Sequence, residues 1–208
     1  MHWLKQAIRP GYRRLRASLR RRRLKRLIAG RHSLRIVVGA SGVFEPGWIP
    51  TDVDVLDLLE PDDWRELFAP GSIEAILAEH VWEHLTPSEA ARAAAQCFTY
   101  LKPGGYLRVA VPDGRHPDPG YIEWVKPGGV GAGADDHKVL YDVDSFSGLF
   151  EEAGYRVVRL EYFDQHGRFH DQEWDPAGGM IHRSKRFDER NRNGTLAFTS
   201  LILDAFKP

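Results

Sequence analysis

Residues 72–113, SIEAILAEHVWEHLTPSEAARAAAQCFTYLKPGGYLRVAVPD, decide the fold. Ser72 to Ala78 carries Ile73, Ala75, Ile76 and Leu77 in a short apolar run, the pattern of a buried strand in a parallel sheet. Pro87 to Leu101 is Ala-rich and of helical length, with Ser88 as a candidate cap, and Lys102-Pro-Gly-Gly105 stops it. Tyr106 to Val111 is apolar again and reads as the next strand. Strand, helix and strand within about 40 residues is the size of one crossover unit.

The alternation continues on both sides of that unit. Leu34 to Val38 is a strand ending at Gly39, and Ile49 to Val53 is a second, weaker one. Val143 to Ala153 is a helix closed by Gly154, Tyr155 to Phe163 is a strand, and Leu196 to Phe206 is the last. Strands separated by helices predict an α/β fold, a Rossmann-like doubly wound, mostly parallel sheet. The loop after the first strand is short, because five residues between Gly42 and Trp48 leave no room for a following helix.

Charge divides the chain where the pattern does. The 208 residues balance 29 Lys and Arg against 29 Asp and Glu, yet residues 1–44 hold 13 of the basic residues and no acidic one. A basic arm, 1–30, therefore precedes an acidic domain, 31–208. In the arm, Trp3, Leu4, Ala7 and Ile8 share one helical face, and Arg20 to Arg23 form a basic run. Three readings fit: an amphipathic helix on an anionic membrane surface, a grip on RNA phosphates, or docking on the chain's own acidic body. The acidic body argues against nucleic acid as a partner. No apolar run reaches the roughly 18 residues of a membrane span, and no secretory signal opens the chain, so a cytoplasmic protein, peripheral on the inner membrane face through residues 1–30, is expected. The single Cys97 excludes an internal disulfide and reads as packing.

In an open α/β sheet, ligands bind beyond the carboxyl ends of the strands where the strand order reverses. That rule selects Gly39-Ala-Ser-Gly42 after the first strand, Asp52 at the end of the second and Asp57 shortly beyond it. Glycines there let a backbone approach a ligand, and an acid at the second strand end suits a ribose diol.

The run SIEAILAEHVWEHL and the turn LKPGGYLRVAVPD resemble the middle of class I S-adenosylmethionine-dependent methyltransferases. VVGASGVFEPGWIPTDVD and IHRSKRFDERN further resemble small predicted methyltransferases associated with bacterial surface-polysaccharide pathways. The resemblance implies S-adenosylmethionine as cofactor. It sets Gly39, Ser41 and Gly42 beside the methionine portion, Asp52 on the ribose and Asp57 facing adenine, with Glu79 and His80 bordering the site. The acidic residue usual before the first glycine is absent, since the segment reads Val-Val-Gly-Ala-Ser-Gly. The favoured function is methyl transfer to a hydroxyl or acid group of a saccharide or glycolipid precursor, and the alternative is a degenerate cofactor-binding interaction module.

His80-Val-Trp-Glu83-His84 also matches the His-x-x-Glu-His pattern of a class of zinc peptidases. His80 directly follows a strand and Pro87 cuts the segment short, so a metal-holding helix has little room and no metal is expected. Glu83 and His84 then serve capping or inter-loop hydrogen bonds. A hydroxyl acceptor needs a base, and a histidine has the pKa for it. His137, in Asp135-Asp136-His137-Lys138 with Asp136 to orient it, is the first candidate, and His84 the second. The segment 163–194, FDQHGRFHDQEWDPAGGMIHRSKRFDERNRNG, is long and polar for a plain connection. Trp174 is a candidate for stacking on a sugar, and Arg183, Arg186 and Arg190 for gripping a carboxylate or phosphate, with internal ion pairing as the competing role.

Overall fold

The computed structural model describes residues 18–42, 45–192 and 194–208. Seven strands form one sheet: β1 (Leu34–Val38), β2 (Ile49–Pro50), β3 (Ile73–Glu79), β4 (Leu101–Pro112), β5 (Arg156–Phe163), β6 (Phe169–Asp171) and β7 (Ser200–Phe206), in the order β2-β1-β3-β4-β7-β5-β6. β1 to β5 all run one way. β7 enters antiparallel between β4 and β5, and β6 folds back along β5. The fold is the expected Rossmann-like α/β sheet, mostly parallel.

Five helices accompany it: α1 (residues 18–29), α2 (Pro61–Leu67), α3 (Pro87–Tyr100), α4 (Pro119–Val125) and α5 (Val143–Glu152). Thr86, not Ser88, caps α3, in a reciprocal box with Glu89 that fills two orphan donors of the first turn. The helix ends at Tyr100, and Lys102 to Gly105 already belong to β4, paired through Gly104 and Gly105 with Lys207. β2 is shorter than the expected Ile49–Val53, because the Asp52 carbonyl accepts from Val55 and Leu56 and turns the chain away. α2 and α4 were too short to show a helical period and are seen only in the structure.

Alternation along the strands separates two faces. On the first, Ile36, Ile76, Val109 and Leu203 pack with Leu24 of α1, Trp64 of α2, Ala93 and Cys97 of α3, and Phe146 and Phe150 of α5. On the second, Val37, Leu77, Ala110 and Ile202 meet Trp48, Ile181 and Trp174, so the late segment covers this face where a second helix layer was expected. What draws it there is polar. Arg108 of β4 and Asp204 of β7 stand opposite each other in the ladder and form a forked pair, Nε to Oδ1 at 2.7 Å and Nη2 to Oδ2 at 2.8 Å, with both residues buried. The remaining Arg108 Nη1 donates to the carbonyls of Asp175 (3.0 Å) and Gly179 (2.7 Å), and the guanidinium lies 4.9 Å from the Trp174 ring. Glu161 of β5, also buried, accepts from Trp174 Nε1 and from the Lys185 amide.

The described part of the arm is docked on the body. Arg20 pairs with Asp52 and Asp54, Arg21 with Asp63 and Glu66, and Lys25 with Glu66, while Leu24 is buried in the first-face core. Most of these pairs are exposed and individually weak, Arg21 with Asp63 being half-buried, and buried Leu24 adds on the order of 1.5–3 kcal/mol. The apolar face of Trp3, Leu4, Ala7 and Ile8 lies outside the described residues. No described helix is long and apolar enough to cross a membrane.

Removing one partner of a buried ion pair strands the other's charge. Asp204→Asn is therefore expected to lower unfolding free energy by about 3–5 kcal/mol in urea titrations. The paired change Arg108→Met with Asp204→Leu should recover most of that loss. A single-variant loss under about 1 kcal/mol would show that the pair does not hold the two strands and the late segment together.

Candidate functional site

From β1 the chain passes to β2 on one side, then from β2 through α2 to β3 on the other, so the strand order reverses between β1 and β3. Their carboxyl ends open onto a cavity of about 480 Å³, within the range of small-molecule sites. Two loops form its walls, and both hold unusual backbone. In the first, Gly39 has φ +62°, and a Cβ there would meet Val81 Cγ2 at 2.7 Å, so only glycine lets the loop after β1 lie against the loop after β3. Ser41 is left-handed as well, with φ 45°, and its amide is fixed to Asp52 Oδ1 at 2.8 Å. In the second, His80 has φ 56°, its amide donates to the Ala110 carbonyl, and its Nε2 sits 2.9 Å from Ser200 Oγ. Left-handed non-glycine residues cost of order 1–3 kcal/mol each and persist where the surroundings hold them.

Glu79, the last residue of β3, carries the roof. Its carboxylate accepts from the amides of His182 (3.0 Å) and Arg183 (2.8 Å), and Arg183 Nη1 stands 3.8 Å away. Met180, His182 and Arg183 thereby overhang the cavity. Ser200 donates its amide to the Arg183 carbonyl, which ties the roof to β7 as well.

The far wall is a cluster of titratable groups. Glu83 and His84 lie in a single 3-10 turn, Trp82–His84, and the Glu83 carbonyl accepts the amides of Lys138 and Val139, docking the loop that carries His137. The Glu83 side chain is 1% exposed, and neither carboxylate oxygen has a hydrogen-bond partner. His80 Nδ1 is 3.2 Å from one oxygen but off line for a hydrogen bond. Burial pushes the Glu83 carboxyl up to about 8. Burial also holds His80 and His137 below the ordinary histidine value, against the Val125 carbonyl that raises His137. His137 Nδ1 is 2.6 Å from that carbonyl, which makes it the protonated nitrogen and leaves Nε2 with a free lone pair. The His84 and His137 rings meet edge to face, 4.8 Å between centroids.

A family model described as "Methyltransferase domain" matches residues 18–160. The chain belongs to that family. Its methyl donor, as the sequence resemblance implies, is S-adenosylmethionine. Among solved structures, the methyltransferase is similar to a SAM-dependent methyltransferase of Archaeoglobus fulgidus, at 15% identity over 91% of this chain and 92% of that one, TM-score 0.47. It is also similar to a SAM-dependent methyltransferase of Thermotoga maritima, at 13% identity over 100% and 97%, TM-score 0.49. A search of curated proteins gave no match.

The residues present fit such a donor. Its sulfonium is cationic, and the cavity is bordered by the carboxylates of Glu45 and Glu79. The left-handed turn at Gly39 to Gly42 leaves backbone facing the cavity, and Asp52 is fixed behind it by the Ser41 amide. Among the described residues no helix stands between β1 and β2, in keeping with the short loop.

Of the candidates from the sequence, Gly39, Ser41, Glu79, His80, His84, His137 and Arg183 line the cavity. Gly42 lies at the outer end of its turn with open space beside it. Asp57 is used locally: its carboxylate accepts from the Leu59 amide and its carbonyl from Trp64 Nε1. Asp136 does not orient His137, which turns to the Val125 carbonyl. Asp136 pairs with Lys138 and stands 3.4 Å from His84 Nδ1, because its turn directs it outward. Trp174 lies on the second face of the sheet with Arg108 and Glu161. Arg186 stacks on Phe187, and Arg190 forks onto Asp188 over the Phe198 ring. The Glu83 side chain makes neither a capping nor an inter-loop hydrogen bond, and of the expected contacts His84 has only the inter-loop one, its Nδ1 3.4 Å from the Asp136 carboxylate. Glu45 and His182 line the cavity without having been singled out, although both lie in the stretches that carry the narrower resemblance.

If Glu79 holds the roof, Glu79→Ala should release it. Two charge-assisted bonds to backbone amides contribute together about 2 kcal/mol or more, so hydrogen exchange at His182 and Arg183 should quicken on the order of 30-fold. Unchanged exchange would place the restraint on Ser200 instead.

Proposed function

We propose that this cavity transfers a methyl group from S-adenosylmethionine to an oxygen of a saccharide or glycolipid precursor, a hydroxyl or an acid group. The observation that carries the reading is the arrangement of the walls. The glycine turn lines one side, with Asp52 behind it and held to the Ser41 amide, and Glu83, His84 and His137 line the other under the Arg183 roof. When bound, S-adenosylmethionine supplies an electrophilic methyl group on a sulfonium. The chain's own residues position both partners and receive a proton.

Asp52 has a carboxylate oxygen toward Arg20 and one toward the Ser41 amide, and retains lone pairs for a ribose diol. Gly39 and Ser41 take the methionine end. The acceptor oxygen is directed at the far wall, where His137 Nε2 and His84 are the groups that handle its proton. Arg183 and His182 at the mouth suit the hydroxyl and acidic groups of a sugar derivative. The membrane part of the reading is peripheral binding to anionic lipid through residues 1–30, in which Arg20, Arg21 and Lys25 are committed to the body's acidic surface while Arg22, Arg23 and Arg26 are exposed.

Calorimetry with S-adenosylhomocysteine should show saturable binding that Asp52→Ala weakens by tenfold or more. His137→Ala should keep that affinity within a few-fold. In a screen of nucleotide sugars and lipid-linked saccharides it should lower turnover by roughly 10²–10⁴. No binding at millimolar ligand, or full turnover in the His137 variant, would overturn the assignment.

A further inference from the structure

The far wall contains more than a base. We propose that Glu83, His84 and His137 bind a first-row divalent transition-metal cation, to which the acceptor's oxygen adds as a further ligand. The inference rests on the functional reading above only for what the acceptor is; the site itself is drawn from the side chains.

One ligand atom from each residue lies within 4.8 Å of the others. Tetrahedral ligands at about 2.0–2.1 Å from a metal are some 3.4 Å apart. The three groups must therefore close by about 1.5 Å at most, which rotation of the His84 ring, a third exposed, can supply. The donor set is one carboxylate and two imidazoles with no thiolate, the pattern of zinc and of non-haem iron and its neighbours. Magnesium and calcium prefer all-oxygen shells.

Three further observations point to a cation. The Glu83 carboxylate is buried at the cavity wall and neither oxygen has a hydrogen bond, the nearest polar group being His80 Nδ1, 3.2 Å from one oxygen and off line. A buried carboxylate of that kind is either paired, metal-bound or strongly disfavoured as an anion. His84 Nδ1 is likewise buried without a hydrogen-bond partner, with the Asp136 carboxylate 3.4 Å away. His137 donates its Nδ1 proton to the Val125 carbonyl, the backing bond that fixes the tautomer of a ligating histidine and presents Nε2 outward. The arrangement differs from the peptidase motif read in the sequence. His80 sits on a left-handed residue and is turned to Ser200, so the second histidine comes from the loop after α4 rather than from one helix. The sequence expectation of no metal rested on that missing helix.

A cation here would draw the acceptor oxygen to one position and acidify its proton, which leaves to water. In this arrangement the two imidazoles act as ligands, so their part in handling the acceptor's proton is to hold the cation that acidifies it, and water takes the place of the imidazole as base.

The test uses the whole chain, stripped with chelator and without acceptor. Zn²⁺ is titrated by calorimetry, Co²⁺ by its visible absorption, and Mg²⁺ serves as comparison. One equivalent of Zn²⁺ or Co²⁺ should bind, with micromolar or tighter affinity, and raise Tm. Glu83→Gln, which keeps shape and removes the charge, should fold with at least wild-type Tm in chelator. It should lose the metal-induced rise and at least tenfold in affinity, as should His137→Ala. His166→Ala, on an exposed turn, should change nothing. Binding that survives Glu83→Gln and His137→Ala, or no binding beyond the Mg²⁺ level, overturns the proposal. Calorimetry with S-adenosylhomocysteine on the same samples separates the two claims: donor binding without metal binding removes the cation and leaves the methyltransferase site standing.

Discussion

The fork between Arg108 and Asp204 is the interaction on which the architecture of the site depends. A charge pair buried between adjacent strands is costly to desolvate, and it persists where every donor is used. Here the guanidinium nitrogen left over from the fork, Nη1, is filled by the carbonyls of Asp175 and Gly179. The pair therefore joins β4 to β7 and also fixes the late segment to the sheet's second face. That anchorage delivers Met180, His182 and Arg183 to the carboxyl ends of β1 and β3, where Glu79 completes the attachment.

The cavity is held open by strain on one side and by burial on the other. Left-handed Gly39, Ser41 and His80 bring two strand-end loops face to face, closely enough that the Gly39 position leaves no room for a Cβ beside Val81. Across from them Glu83 is enclosed without a partner, an arrangement that costs stability and so points to a function. A donor turn and a reactive wall within one cavity is what two-substrate transfer requires, since both partners must be held in line at once.

Much of this was legible in the sequence, and the reasons differ by element. β1 is bounded as read, because five apolar residues ending at glycine leave little ambiguity, and α3 and α5 carry clear helical periods. α2 and α4, seven residues each, are too short to display a period and are marked instead by a proline in the first turn of each and, for α4, the Asp118 cap. At the site, strand-end positions pointed to Gly39 and Ser41, the family resemblance to Glu79, and the need for a base to His84 and His137. Trp174, Arg186 and Arg190 have the residue types of a substrate site, yet they are engaged by Glu161, Phe187 and Asp188, partners that only the tertiary fold brings near or orients. Glu83 was visible in a motif but not as an unpartnered carboxylate, because burial without hydrogen bonds has no signature in a sequence.

The central claim is that donor and acceptor share one cavity between the glycine turn and the Glu83, His84 and His137 wall. The most direct measurement is a crystal structure of the full chain with S-adenosylhomocysteine. The account predicts the ribose hydroxyls at the Asp52 carboxylate and the thioether sulfur facing the His137 ring across the cavity. A ligand bound on the second face of the sheet, or one whose sulfur points away from that wall, would contradict it.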